Sequence, residues 1–182
     1  EGVEVKIETF TMQYPSFLFP GKTQYTTDAP PAGVEIARTI HSVNPFNWIK
    51  VGRRLRKEKA DLVLLRYWMP FMAPCMGTIG RLIRKNKKTK VVGLVDNIIP
   101  HEKRIGDNWL SSYFVNSMDA FVVLSDAVKD ELRQFDKEKP CLVTPHPTYD
   151  HYGALLSKEE AAKQLGLDVS ARYILFFGFI RD

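Results

Sequence analysis

A group of polar residues follows an apolar run in the segment VVGLVDNIIPHEKRIGD. Asp96 and Asn97 come directly after the run Val91–Val95, and His101 and Glu102 follow a few residues later. A plain turn from a strand into a helix needs one capping side chain. Four polar side chains around a proline therefore predict either a decorated surface loop or one wall of an active site. His101 is the strongest candidate, because imidazole exchanges protons near neutral pH, although a structural role for a lone histidine remains the alternative.

The elements that would position these residues alternate along the chain. Strand-like apolar runs are Val3–Thr9, Ile36–Ile40, Leu62–Arg66, Val91–Val95, Ala120–Leu124, Cys141–Thr144 and Tyr173–Phe177. Between them the spacing predicts helices over Phe46–Lys59, Phe71–Lys85 and Asp107–Met118, a fourth capped by Ser125, and a fifth opened by Ser157 and closed by Gly166. This alternation predicts an α/β fold, with a Rossmann-like parallel sheet covered by helices on both faces.

A parallel sheet indicates where a ligand would bind, since ligands of such sheets lie at the carboxyl ends of the strands. Arg66, Trp68, Asp96, Asn97 and Ser125 all stand at such ends, so they are, together with Glu102, the candidate substrate-binding residues. Three of these residues have a structural alternative. Trp68 could be a core or rim residue, and Asp96 and Ser125 could be caps of turns or helices.

Composition and motifs exclude several classes. The chain has 182 residues, a net charge of +5 and two cysteines without metal spacing, so no metal site is expected. The longest apolar run, YILFFGFI, is too short to span a bilayer, and reduced cysteines suit a cytoplasmic location. Dinucleotide, Walker and nucleophile-elbow motifs are absent, and no cofactor is expected.

The basic segments RRLRKEK and RKNKKTK leave a nucleic-acid-binding domain or a non-enzymatic partner module as alternatives. No nucleic-acid reader motif accompanies them, so no nucleic acid partner is expected.

The helix predicted after Asn44 and Pro45 has two contrasting faces. One face is apolar, and the opposite face carries Lys50, Arg53, Arg54 and Lys57. A solvated outer face is the simple interpretation, helped by the helix dipole. The sharper hypothesis is peripheral contact with an anionic membrane, to which each basic residue would contribute about 1 kcal/mol.

Four segments, NIIPHEKR, DAFVVLSDAVKDEL, ADLVLLRYWMPFMAP and YILFFGFIRD, together resemble the family 4 glycosyltransferases of GT-B fold. The resemblance covers most of the chain. It implies that residues 1–152 are the amino-terminal, acceptor-side domain without its first strand and helix. Residues 153–182 would be the linker and the start of the carboxyl-terminal, donor-side domain, so we expect a fragment that is inactive alone.

The resemblance also implies a reaction, namely retaining and metal-independent transfer of a sugar from a nucleotide-sugar donor to a glycan or lipid-linked acceptor. His101 would line the cleft near the transferred sugar, and Gly178 would lie in the turn that approaches the donor phosphates. Arg181 is the candidate for the basic residue expected soon after that glycine. Asp96 departs from the family, whose members often carry a histidine before the asparagine that Asn97 matches. The expected location is cytoplasmic, with peripheral contact at the inner face of the membrane.

Overall fold

The computed structural model describes residues 2–16, 23–26, 29–100, 104–146 and 153–176. The chain divides into two compact units, residues 1–146 and residues 147–182.

The first unit alternates strands and helices. Its strands are β1 (Lys6–Met12), β2 (Glu35–His41), β3 (Leu62–Tyr67), β4 (Lys90–Val95), β5 (Ala120–Val123) and β6 (Cys141–Val143). Its helices are α1 (Pro45–Glu58), α2 (Ala73–Arg84), α3 (Asp107–Val115) and α4 (Asp126–Leu132), with a 3-10 turn at Pro70–Met72. The second unit contains α5 (Lys158–Leu165).

All described strands pair in parallel, in two separate sheets. One sheet is β1-β2, and the other has the order β3-β4-β5-β6. The helices flank these sheets, so the prediction of a Rossmann-like α/β fold is confirmed. In the four-stranded sheet Leu65 lies opposite Gly93, which lies opposite Phe121. Because all four strands of this sheet run parallel, their carboxyl ends share one edge.

The core lies against one face of the four-stranded sheet. Tyr67 of β3 is fully buried and stacks on Phe114 of α3, with ring centroids 4.1 Å apart. Gly93 of β4 makes room for this contact, since a Cβ there would lie 3.2 Å from the Phe114 ring. Residues that alternate with the buried ones are more open, and Leu64 remains 52% exposed. This alternation sets which strand residues can pack and which remain accessible.

The local signals at helix ends act as the sequence predicts. The Asn44 side chain accepts a hydrogen bond from the Asn47 N–H, and Pro45 occupies the first turn of α1. Ser157 and Glu160 form the complete capping box of α5. Gly166 ends that helix with a φ of +66°, a left-handed conformation that a glycine adopts without strain.

The prediction of a strand over Tyr173–Phe177 is wrong for its described residues. Residues 173–176 have no regular structure, and the side chains of Ile174 and Leu175 are exposed. An apolar run becomes a strand only when a neighbour accepts its backbone hydrogen bonds. The described part of the second unit contains no strand that could pair with it.

Candidate functional site

The carboxyl ends of β3 and β4 bring two predicted site residues into direct contact. Asp96 follows β4, and its backbone N–H donates to the Tyr67 carbonyl at the end of β3, at 2.9 Å. The Arg66 Nε donates to the Asp96 Oδ2, also at 2.9 Å. The parallel register of the two strands therefore places a guanidinium and a carboxylate side by side at this edge.

The second oxygen of Asp96 is the unusual atom of the site. Asp96 Oδ1 is buried and accepts no hydrogen bond within the described ranges. A buried polar atom without a partner costs free energy, about 1–3 kcal/mol. Such an atom in a native fold is a candidate for binding a donor from a ligand. Asn97, the next residue, is exposed beside it.

A buried hydrogen-bond chain fixes the backbone that carries Asp96. The Ser111 hydroxyl of α3 donates to the Ile98 carbonyl at 3.0 Å, and it lies 3.1 Å from the Tyr67 hydroxyl. Burial raises the pKa of Tyr67 well above its usual value, so this hydroxyl stays protonated. The chain Tyr67–Ser111–Ile98 thus links the segment after β4 to α3 and β3.

Trp68 stands where the two sheets approach each other. Its Nε1 donates to the Tyr14 hydroxyl at 2.6 Å, and its ring meets Phe10 of β1 edge-on at 6.4 Å. Tyr14 stacks on Phe71, and Gln24 hydrogen-bonds both backbone groups of Tyr14. Trp68 is half-buried, which agrees with the rim alternative. Its contact with substrate stays a prediction.

Ser125 caps a helix, as the structural alternative predicted. Its hydroxyl oxygen accepts a hydrogen bond from the Val128 N–H at 3.3 Å, at the start of α4. This contact explains the residue type without any ligand. A substrate contact at Ser125 remains a prediction.

No family model matches this chain, and no curated protein matches it either.

Sequence reasoning missed two residues at the end of β2. The Nδ1 of His41 and the Oγ of Ser42 are buried and have no hydrogen-bond partner among the described residues. The His41 backbone is held in place, because its N–H donates to the Asn47 Oδ1 and its carbonyl accepts from the Trp48 Nε1. The signal that could have found them is a pair of polar residues directly after an apolar strand. His41 and Ser42 follow Ile40 in this way, as Asp96 and Asn97 follow β4.

Four candidate residues lie outside the described residues, namely His101, Glu102, Gly178 and Arg181. Their roles remain predictions. In the ranges that the structure covers, no group of three or more His, Cys, Asp or Glu side chains could hold a metal ion. No helix in those ranges has the length and apolarity needed to cross a membrane.

Proposed function

We propose that this chain is part of a retaining glycosyltransferase that moves a sugar from a nucleotide-sugar donor to a glycan or lipid-linked acceptor. One observation carries the proposal. Asp96 presents a carboxylate oxygen that is unpaired among the described residues, at the carboxyl edge of the four-stranded parallel sheet, where ligands of this fold class bind. The resemblance of the chain to the family 4 glycosyltransferases supports the choice of reaction.

A carboxylate suits recognition of a sugar. Sugar hydroxyls donate hydrogen bonds, and a hydrogen bond to an ionised oxygen is about twice as strong as a neutral one. Arg66 holds the other oxygen of Asp96, so the free oxygen keeps one orientation. Arg66 itself is largely exposed, with 63% of its side chain accessible.

His101 and the donor-side residues complete the proposed chemistry. We assign His101 the role of hydrogen-bonding a hydroxyl of the donor sugar or of the acceptor, and so of orienting attack. A retaining transfer without metal needs positive groups against the leaving nucleoside diphosphate. Arg181 and the backbone at Gly178 are the proposed contributors from this chain.

The outer face of α1 supports a lipid-linked acceptor. Phe46 is 84% exposed at the start of the helix, and Lys50, Arg53 and Lys57 follow it along the same side. Arg54, which we grouped with these cations from the sequence, is instead bound to Glu8 and Glu58. The proposed membrane contact therefore consists of Phe46 with three cations.

The test is a screen of the full-length protein for hydrolysis and transfer of common nucleotide sugars. We expect Asp96→Asn to reduce turnover at least tenfold, about 1.4 kcal/mol of transition-state stabilisation. Asp61→Asn is the matched control, because Asp61 lies at the opposite end of β3 with 95% of its side chain exposed. Equal rates for the two variants, or a wild type inert towards every nucleotide sugar, would contradict the proposal.

A further inference from the structure

A pocket lined by basic residues lies at the amino ends of β4 and β5, on the edge opposite to the proposed active site. Its volume is about 290 Å³. It is lined by Arg81, Arg84, Lys85, Lys87, Thr89, Lys90 and Asp119. Since β4 has six residues, the pocket lies roughly 20 Å from Asp96. Its chemistry is therefore separate from that of the proposed transfer reaction.

The two arginines of the pocket are held in fixed positions. Arg84 donates from Nε to the Asp119 carboxylate at 2.8 Å and from a terminal nitrogen to the Asn116 carbonyl at 3.2 Å. Arg81 donates from Nε to the Ser117 hydroxyl at 2.9 Å, and its guanidinium lies 4.2 Å from the centre of the Tyr113 ring. Side chains ordered in this way lose little further entropy when an anion arrives.

The positive charge of the pocket is only partly neutralised by the described residues that line it. Among these residues Asp119 is the one acid, and both its oxygens are already used, by Arg84 and by the Val91 N–H. In the part of the chain that the structure describes, Lys85, Lys87 and Lys90 form no ion pair. Lys88, which lies in the same turn, pairs with Asp61 and is not part of the lining.

The helix dipole accounts for only part of this cluster. Arg81 and Arg84 lie in the last turn of α2, where cations are favoured by the carbonyl ends of the helix. Lys87 and Lys90 lie beyond the helix, in the turn and on the first residue of β4. Like charges brought together without a counter-ion destabilise a compact fold. An anion with several charges would remove that cost.

We propose that this pocket binds a small molecule carrying a chain of phosphate groups. Several phosphate oxygens can meet the two fixed guanidinium groups and the flexible lysine amines at once. The volume is near the lower end for a small-molecule site, which fits two or three phosphates better than a large ligand. Free polyphosphate and the phosphates of a nucleotide share this chemistry.

The test is calorimetric titration of the protein with sodium tripolyphosphate in about 0.1 M salt, where exposed charges are largely screened. We expect one binding site, and at least about tenfold weaker binding by the double variant Lys87→Gln/Lys90→Gln. Among the described residues these lysines have no ion pair to lose, and their like charges repel each other, so the melting temperature should not fall. The matched control is Lys158→Gln/Lys163→Gln, which removes the same charge from the exposed side of α5 and should bind tripolyphosphate as the wild type does.

Further titrations distinguish a nucleotide from a phosphate chain alone, and either of them from a nucleic acid. Adenosine triphosphate that binds at least tenfold more tightly than tripolyphosphate would identify a nucleotide, and equal binding would identify the phosphate chain alone. Equal weakening by both double variants, or no heat with tripolyphosphate, would overturn the proposal. Duplex DNA that binds but is not displaced by tripolyphosphate would overturn it too. None of these results depends on the transfer reaction, which Asp96→Asn tests.

Discussion

His101 is the residue on which the proposed transfer reaction most depends. We expect His101→Ala in the full-length protein to lower turnover in the proposed reaction at least tenfold, which is about 1.4 kcal/mol, with little change in melting temperature. Glu102→Gln is the neighbouring control, and it should have a smaller effect because glutamine keeps the size of the side chain and its capacity to form hydrogen bonds. Steady-state kinetics and thermal melts measure both. Normal turnover combined with a large loss of stability would give His101 a structural role instead.

The two cysteines differ in reactivity for a physical reason. Cys75 of α2 is fully buried, and burial raises the pKa of its thiol to about 12. Only the thiolate is nucleophilic, and at pH 8 about one such thiol in ten thousand is ionised. Burial also raises the pKa of Cys141, but this residue is only partly buried, and Arg133 and Lys129 favour its thiolate.

We therefore expect iodoacetamide to label Cys141 of the folded protein well before Cys75. Mass spectrometry of peptides after timed labelling measures the two rates, and labelling in denaturant is the control that equalises them. Similar rates in the folded protein would contradict the burial of α2.

At the scale of elements, one ion pair joins α1 to the two-stranded sheet. Arg54 donates through both terminal nitrogens to the Glu8 carboxylate, at 3.0 and 2.8 Å, and the Thr39 hydroxyl of β2 also donates to Glu8. Burial alone would raise the pKa of Glu8. The hydrogen bonds from Arg54 and Thr39, together with the charges of Arg54 and Lys6, outweigh burial and lower it.

A lowered pKa in the folded state means that Glu8 stabilises the fold when ionised. The contribution is fully present above the unfolded pKa of about 4.5 and is lost as the pH falls through the lower folded value. We expect Glu8→Gln to reduce the free energy of unfolding by about 2 kcal/mol at pH 7. The exposed Glu4→Gln is the control. Urea titrations should show the difference from wild type shrinking in acid, and a constant difference would argue against the ion pair.

The outer face of α1 makes a prediction about membranes. The full-length protein should sediment with anionic vesicles at low salt and be released at high salt, because charge attraction decays within a Debye length. Changing Lys50, Arg53 and Lys57 to Gln should abolish sedimentation while leaving donor hydrolysis intact. Phe46→Ser should weaken it, since an inserted aromatic ring adds apolar contact. Equal sedimentation of wild type and the triple variant would leave α1 with a solvated face only.

At the scale of the whole molecule, burial is concentrated in the first unit. Every buried apolar side chain described belongs to it except Ala162 of α5. Strands β4 and β5 are paired on both sides, whereas α5 has eight residues, fewer than an isolated helix needs for stability. We expect the amides of β4 and β5 to exchange with solvent most slowly and those of α5 much faster. Hydrogen–deuterium exchange with mass spectrometry measures this, and equal protection would show that α5 has a buried partner.

The sequence by itself determined which segments become helices and most of the strands in the first unit. The start and end of these elements depend on interactions between residues close in the chain, namely helix caps and the spacing of apolar side chains. Asn44 and Pro45 begin α1, Ser157 and Gly166 delimit α5, and apolar runs alternate with helical spacing. The parallel arrangement followed from that alternation, and with it the edge that carries Arg66 and Asp96.

Only the tertiary structure decided how these residues are paired, because pairing depends on atoms distant in the chain. It pairs Arg54 with Glu8 and Trp68 with Tyr14, and it leaves one oxygen of Asp96 without a partner among the residues described. Residues 173–176 do not form a strand, since an apolar run cannot complete its backbone hydrogen bonds without a neighbouring strand. Local patterns specify an element, whereas contacts between elements specify which polar atoms remain free to bind a ligand.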